Sequence, residues 1–159
     1  MTQEILQDAV VADLKALFEG YKLKNSLGVE RAIQVFSQDT PIRQGDDEAV
    51  DREAPPEPYV IVRTAGGTVE DETVPHVVEI ILAICVFDED PERQGYRDAL
   101  HIVNEIYRHF AANGIVGKKY ALRYPIRWAT GDDDNHPYYY AAMALNFEAP
   151  AVVKEVPEL

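Results

Sequence analysis

The segment His76-Val-Val-Glu-Ile-Ile-Leu-Ala-Ile-Cys-Val-Phe87 decides how this chain reads. Its even positions (Val78, Ile80, Leu82, Ile84, Val86) and its odd ones (Val77, Ile81, Ala83, Cys85, Phe87) are both apolar, with Glu79 the one interruption. A run greasy on both sides and rich in β-branched residues predicts a strand central in a sheet and covered on both faces. Asp88-Glu89-Asp90-Pro91 then changes the period. Asp90 is suited to accept from first-turn amides, Pro91 loses no hydrogen bond at the first helical position, and Glu92 suits the positive pole of a helix. Behind them Tyr96, Ala99, Leu100, Val103, Ile106, Tyr107 and Phe110 form one apolar stripe at three- and four-residue spacing. Arg97, His101, Asn104, Glu105 and Arg108 form the opposite, polar one, and Asn113-Gly114 reads as a left-handed stop.

Working outward, residues 2–18 predict a first helix that buries Ile5, Leu6, Val10, Leu14, Leu17 and Phe18, with Lys15, Lys22 and Lys24 at its negative pole. Asn25-Ser-Leu-Gly28 is a turn. Residues 31–37 make a short strand with Ile33 and Val35 inward, and 59–63 make another, ended by the turn Ala65-Gly-Gly-Thr68. Between these two strands, residues 38–58 are acidic, proline-rich and nearly free of apolar residues; so long a connection is uncommon inside a compact domain. Residues 117–129 alternate, placing Tyr120, Leu122, Tyr124, Ile126 and Trp128 on one face, while Pro125 predicts an edge or a bulge. After the polar loop 130–137, residues 138–147 run back with Tyr139, Ala141, Met143, Leu145 and Phe147 inward. The order is helix, strand, strand, strand, helix, strand, strand. It predicts a single α+β domain over residues 1–150, with a mostly antiparallel sheet packed against two main helices and an extended tail at 151–159.

The chain has 159 residues and a net charge of −13, from 28 acidic and 15 basic side chains, which disfavours docking on nucleic acid or anionic lipid. No apolar run is long enough to span a membrane, and the first residues carry no signal core, so the expected place of synthesis and folding is the cytoplasm. Cys85 reads as a small buried hydrophobe with no activating base near it in sequence. His76, His101, His109 and His136 have no partners at metal-ligand spacing, and Ser26 and Ser37 carry no nucleophile signature. Asp46-Asp-Glu48 and Asp132-Asp-Asp-Asn135 lack the alternating donors of a calcium loop and read as solvated turns. Gly66-Gly67 is not followed by the Lys-Ser/Thr of a phosphate loop. No catalytic residue, metal ligand or cofactor is therefore assigned, and the protein is not expected to be an enzyme.

Two features point to association instead. Tyr138 and Tyr140 must face away from Tyr139, and outward tyrosines are enriched at protein interfaces. Gly95 sits one turn into the second helix at a cost of about 1 kcal/mol relative to Ala, which suits a close backbone approach by another chain. In its second half the chain resembles the tail terminator (tail completion) proteins of tailed bacteriophages. The residues that carry the likeness are Asp88-Glu-Asp-Pro-Glu-Arg-Gln-Gly-Tyr-Arg-Asp98, Gly117-Lys-Lys-Tyr-Ala-Leu-Arg-Tyr-Pro-Ile-Arg127 and the acidic hairpin after it. The closing strand from Pro137-Tyr-Tyr-Tyr140 to Phe147-Glu-Ala-Pro150 completes them. The likeness spans residues 59–150, plus the leading helix in position.

The resemblance implies a homo-oligomeric ring, a hexamer, that caps the tail tube of a virion assembled in the host cytoplasm. Its partners would be the tube protein, the sheath where there is one, and a head–tail connector or neck protein. DNA would pass through the channel unbound, repelled by acidic walls. Interface candidates are Gly95, Arg97, Asp98, His101, Arg123, Arg127, Tyr138 and Tyr140. Candidates on the long loop are Arg43, Asp46, Asp47, Glu48, Asp51 and Arg52. The competing expectations are another connector or neck protein, and a small cytoplasmic enzyme or ligand-binding domain with a pocket between helix and sheet.

Overall fold

A computed structural model of the protein describes residues 2–41 and 55–150. In chain order they form α1 (Thr2–Leu17), β1 (Lys22–Lys24), β2 (Glu30–Ala32), β3 (Gln34–Ser37), β4 (Tyr59–Thr68), β5 (His76–Phe87), α2 (Gln94–Ala112), β6 (Ile115–Val116), β7 (Tyr120–Thr130) and β8 (Tyr138–Ala149). The fold is α+β: six strands in the order β3-β4-β5-β8-β7-β6 make a curled, mostly antiparallel sheet that carries the two helices. β1 and β2 form a separate hairpin, closed by Asn25-Ser-Leu-Gly28 with Gly28 at φ 74°, a left-handed position that glycine takes without strain.

β5 spans the predicted twelve residues and lies between β4 and β8, its Leu82 opposite Val62 on one side and Met143 on the other. Val78, Ile80, Leu82, Ile84 and Val86 are buried in one continuous core with Leu6, Val10, Leu14 and Phe18 of and just beyond α1. Ala99, Ile102, Val103, Ile106 and Phe110 of α2 and the odd positions of β8 from Ala141 to Ala149 complete it. Both helices thus lie on the same face of the sheet. The expectation that β5 is covered on both faces holds for only one of them: Val77, Ile81, Ala83 and Phe87 remain partly exposed.

Other differences from the sequence reading are local, and each has a physical reason. β3 pairs parallel with β4, because the long connection after β3 lets the chain return to the same end of the sheet. Residues 65–68 are not a turn; β4 continues through them to Thr68, with a register shift between Thr64 and Gly66. Lys22 and Lys24 belong to β1 rather than to the end of the first helix, and Ile5 is 46% exposed because α1 buries the line through Leu6, Val10 and Leu14 instead. Asp90 does not cap α2. Its carboxylate accepts from the Glu92 amide and its carbonyl from the Arg93 amide, closing a turn, and α2 begins only after Arg93, at φ 60°. At the other end Asn113 has φ −123°, so the stop is not left-handed; its amide and its side chain both donate to the His109 carbonyl. The predicted bulge in β7 is present, as a register shift between Arg123 and Arg127 that includes Pro125.

Candidate interaction surfaces

The sheet face turned away from the helices is built by cross-strand neighbours, which share a face when they stand directly opposite. Tyr59 opposes Cys85, which opposes Tyr140 in turn; Phe87 opposes Tyr138. Phe36 meets Tyr59 with ring centroids 6.2 Å apart, and Phe87 meets Tyr138 edge-on at 5.3 Å. These residues form an aromatic band across one end of the face. Cys85 lies beneath it, its thiol pushed up to about 12 by burial, with Tyr59 and Tyr140 as neighbours. Burial likewise raises the Tyr140 phenol, although that ring is 43% exposed. The thiol is thus a neutral, buried packing group at ordinary pH.

Beyond the band the face becomes flat and then charged. Ile61, Ala83, Ala142 and Ala129 are mutual partners in one row; Arg63, Ile81, Ala144 and Arg127 follow in the next. Glu79, Asn146 and Arg123 occupy the third, where Arg123 lies 3.8 Å from Glu148. Four of the predicted interface residues, Arg123, Arg127, Tyr138 and Tyr140, are therefore brought onto one surface. Alternation showed that the two tyrosines are on the same side of β8. What it could not show is that no helix of the described chain lies over them.

The predicted residues on α2 divide differently. Gly95 is buried, and a methyl group in place of its hydrogen would sit 2.2 Å from Tyr139 Cδ2 and 2.5 Å from Cε2. The close approach it permits is made by Tyr139 of the same chain, which corrects its assignment to an intermolecular contact. Asp98 and His101 face the β1–β2 side of the helix. The Asp98 carboxyl is raised by burial and accepts from Gln94, while the His101 ring lies 5.6 Å from that of Tyr21. Arg97 and His101 are exposed, whereas Gly95 is buried and Asp98 half-buried. The loop residues Arg43, Asp46, Asp47, Glu48, Asp51 and Arg52 and the tail 151–159 lie outside the described residues.

A second exposed apolar region was missed by the sequence reading. Tyr96, Leu100 and Tyr107 belong to the apolar stripe of α2, and Tyr124, Ile126 and Trp128 to the inward alternation of β7; Ile126 packs against the rim of the core and the others stay outside it. Tyr124 is 61% and Trp128 59% exposed. One flank of the stripe lies over β7 without closing onto it. The overhang leaves a cavity of about 360 Å³ lined by Leu100, Val103, Asn104, Tyr107, Ile126 and Trp128. The signal that could have found it is the number of aromatic positions claimed for one core by a nineteen-residue helix.

The remaining clefts are polar. One of about 450 Å³ lies between the β1–β2 hairpin and the start of α2, where Lys22 and Lys24 stand with Asp88, Glu89 and Asp98. Charges of both signs line it. Near it Arg93 makes a two-pronged contact with Asp134, at 3.0 and 3.1 Å, which ties the start of α2 to the β7–β8 loop and holds the Asp134 carboxyl down at about 2. Among the described residues no group of three or more His, Cys, Asp or Glu side chains is placed to hold a metal ion, and no helix is long and apolar enough to cross a membrane. No family model and no curated protein matches the chain. Among solved structures, one chain without a descriptive name superposes with a TM-score of 0.57 at 14% identity, covering 99% of each chain. At that identity the likeness concerns the fold alone.

Proposed function

We propose that this chain is a structural assembly protein of a tailed bacteriophage: subunits join in a ring, a hexamer, that terminates the tail tube and offers a surface for joining the head or neck. The observation that carries the reading is the sheet face that no helix of the described residues covers, with its aromatic band of Phe36, Tyr59, Phe87, Tyr138 and Tyr140. An antiparallel sheet can leave one face to water, but an aromatic band on that face suits a partner, because rigid aromatic rings with polar tips are the side chains that most often carry such contacts. The resemblance of residues 88–98, 117–127 and 137–150 to tail terminator proteins supplies the biological setting.

Charge favours protein rather than nucleic acid on that face. Arg63, Arg123 and Arg127 all lie on it, and three arginines lining a DNA channel would hold phosphates rather than let them slide. In the proposed ring this face therefore meets the tube or the neck protein, and the channel wall is drawn from the acidic remainder of a chain with net charge −13. Purified protein added to tail tubes that lack a terminator tests the proposal. Electron micrographs are expected to show a ring at one tube end and an end to further tube growth. Tubes that stay bare and keep growing would overturn it.

A further inference from the structure

We infer that the overhang between α2 and β7 is the receiving half of a head-to-tail contact between copies of this chain, and that the outer face of the neighbour's α1 fills it. The contact rests on the ring reading for its stoichiometry, while its residues, Arg97 apart, lie on surfaces outside the interface candidates of that reading. The receiving side has an apolar floor, Leu100, Tyr107, Ile126 and Trp128, beside an outward row of α2 that carries Arg97 and Arg108, the latter an exposed guanidinium 3.9 Å from Glu105 of the same helix. The donating side is α1, whose exposed line runs through Glu4, Ile5 and Asp8. A large aliphatic side chain flanked by two carboxylates matches an aromatic cleft flanked by two guanidinium groups. On a chain with net charge −13, these arginines on the outer row of α2 complement the oppositely charged line of α1.

Placement explains why the contact runs between molecules. α1 packs against the other flank of α2, where Asp13 and His109 lie 3.2 Å apart, so the two surfaces sit on opposite sides of the helix. Within one subunit they cannot meet. Between subunits they are different patches, and a heterologous contact of this kind closes into a ring when its rotation allows or runs on as a filament. A two-fold dimer would need both patches of each copy within one shared interface, which their places on opposite sides of α2 do not allow.

Trp128 is the sole tryptophan of the chain, so its emission reports the cleft directly. Full-length protein would be followed over a dilution series by sedimentation velocity and by fluorescence together. The expected result is a blue emission that shifts red as the assembly dissociates. Ile5→Asp, and separately Arg97→Glu with Arg108→Glu, should each weaken association about ten-fold or more. Adding Glu4→Arg with Asp8→Arg to the double arginine variant should restore most of it, an outcome that general repulsion on an acidic chain would not give. Assemblies that form while Trp128 keeps the emission of an exposed indole would overturn the contact and leave the ring standing; so would variants without effect. A chain that stays monomeric at every concentration would overturn both. Should a variant misfold by circular dichroism, the wild-type emission still decides.

Discussion

The two sides of strand β5 are both largely apolar and have opposite fates. On one, Val78, Ile80, Leu82 and Ile84 are sealed beneath two helices; on the other, Ile81 and Ala83 alternate with them in sequence and stay half-open. Hydropathy of a strand therefore reports that both sides are apolar, and the placement of the helices among the described residues tells which side they cover. Here both helices went to the same side. The surplus apolar surface is what makes an assembly role more economical of explanation than a reactive site.

If the difference between the faces is energetic, truncations should sort by face. Phe147→Ala, which empties a buried position against Phe110 at a ring separation of 5.8 Å, is expected to cost about 3–5 kcal/mol in a urea melt. Gly95→Ala should cost about 1–3 kcal/mol by overpacking against Tyr139, and the loss should shrink in a Tyr139→Ala background. If Gly95→Ala instead left the melt unchanged and altered only assembly, its reading as an internal contact would fail. Tyr140→Ser on the open face should change monomer stability by only about 0.5 kcal/mol while reducing binding to tail tubes. A cost as large as that of Phe147→Ala would erase the contrast between the faces.

The smallest expected effect is electrostatic and lies at the sheet end where α2 begins. The Asp134 carboxyl is held below its unfolded value by Arg93 and by the His136 amide, so its contribution is complete above the ordinary carboxylate range. It is lost as pH falls from about 4 to about 2. Hydrogen exchange of the β7–β8 loop should accelerate over that window, and Asp134→Asn should remove the pH dependence of the loop. Asp98 has the opposite sign: burial raises its carboxyl, so the ionised form is penalised in the folded chain and Asp98→Asn should raise the midpoint of thermal unfolding at neutral pH.

The fold was legible where one physical signal dominated. β5 and the core line of α2 were readable because period and apolar content agree over a dozen residues or more, and the order of the main elements followed from them. Boundaries set by side-chain competition were not. Asp90 has the chemistry of a cap, but its carboxylate is taken by the amide two residues on, and the left-handed Arg93 moves the start of α2 to Gln94. Of the candidate surface, the tyrosines of β8 could be assigned to a side, because alternation is strict there. The cleft at Trp128 could not, since alternation puts that residue on the core side of β7 and only the reach of α2 shows that the core ends before it. Gly95 was recognised as a point of close approach, but sequence does not say whose side chain approaches.

The central claim is that this chain works by joining copies of itself, and its native mass is the direct test. With a subunit of 17.9 kDa, mass photometry or sedimentation at rising concentration, with and without tail tubes, should reveal one discrete species near six subunits. A single 17.9 kDa species that persists throughout, tubes present or not, would contradict the account.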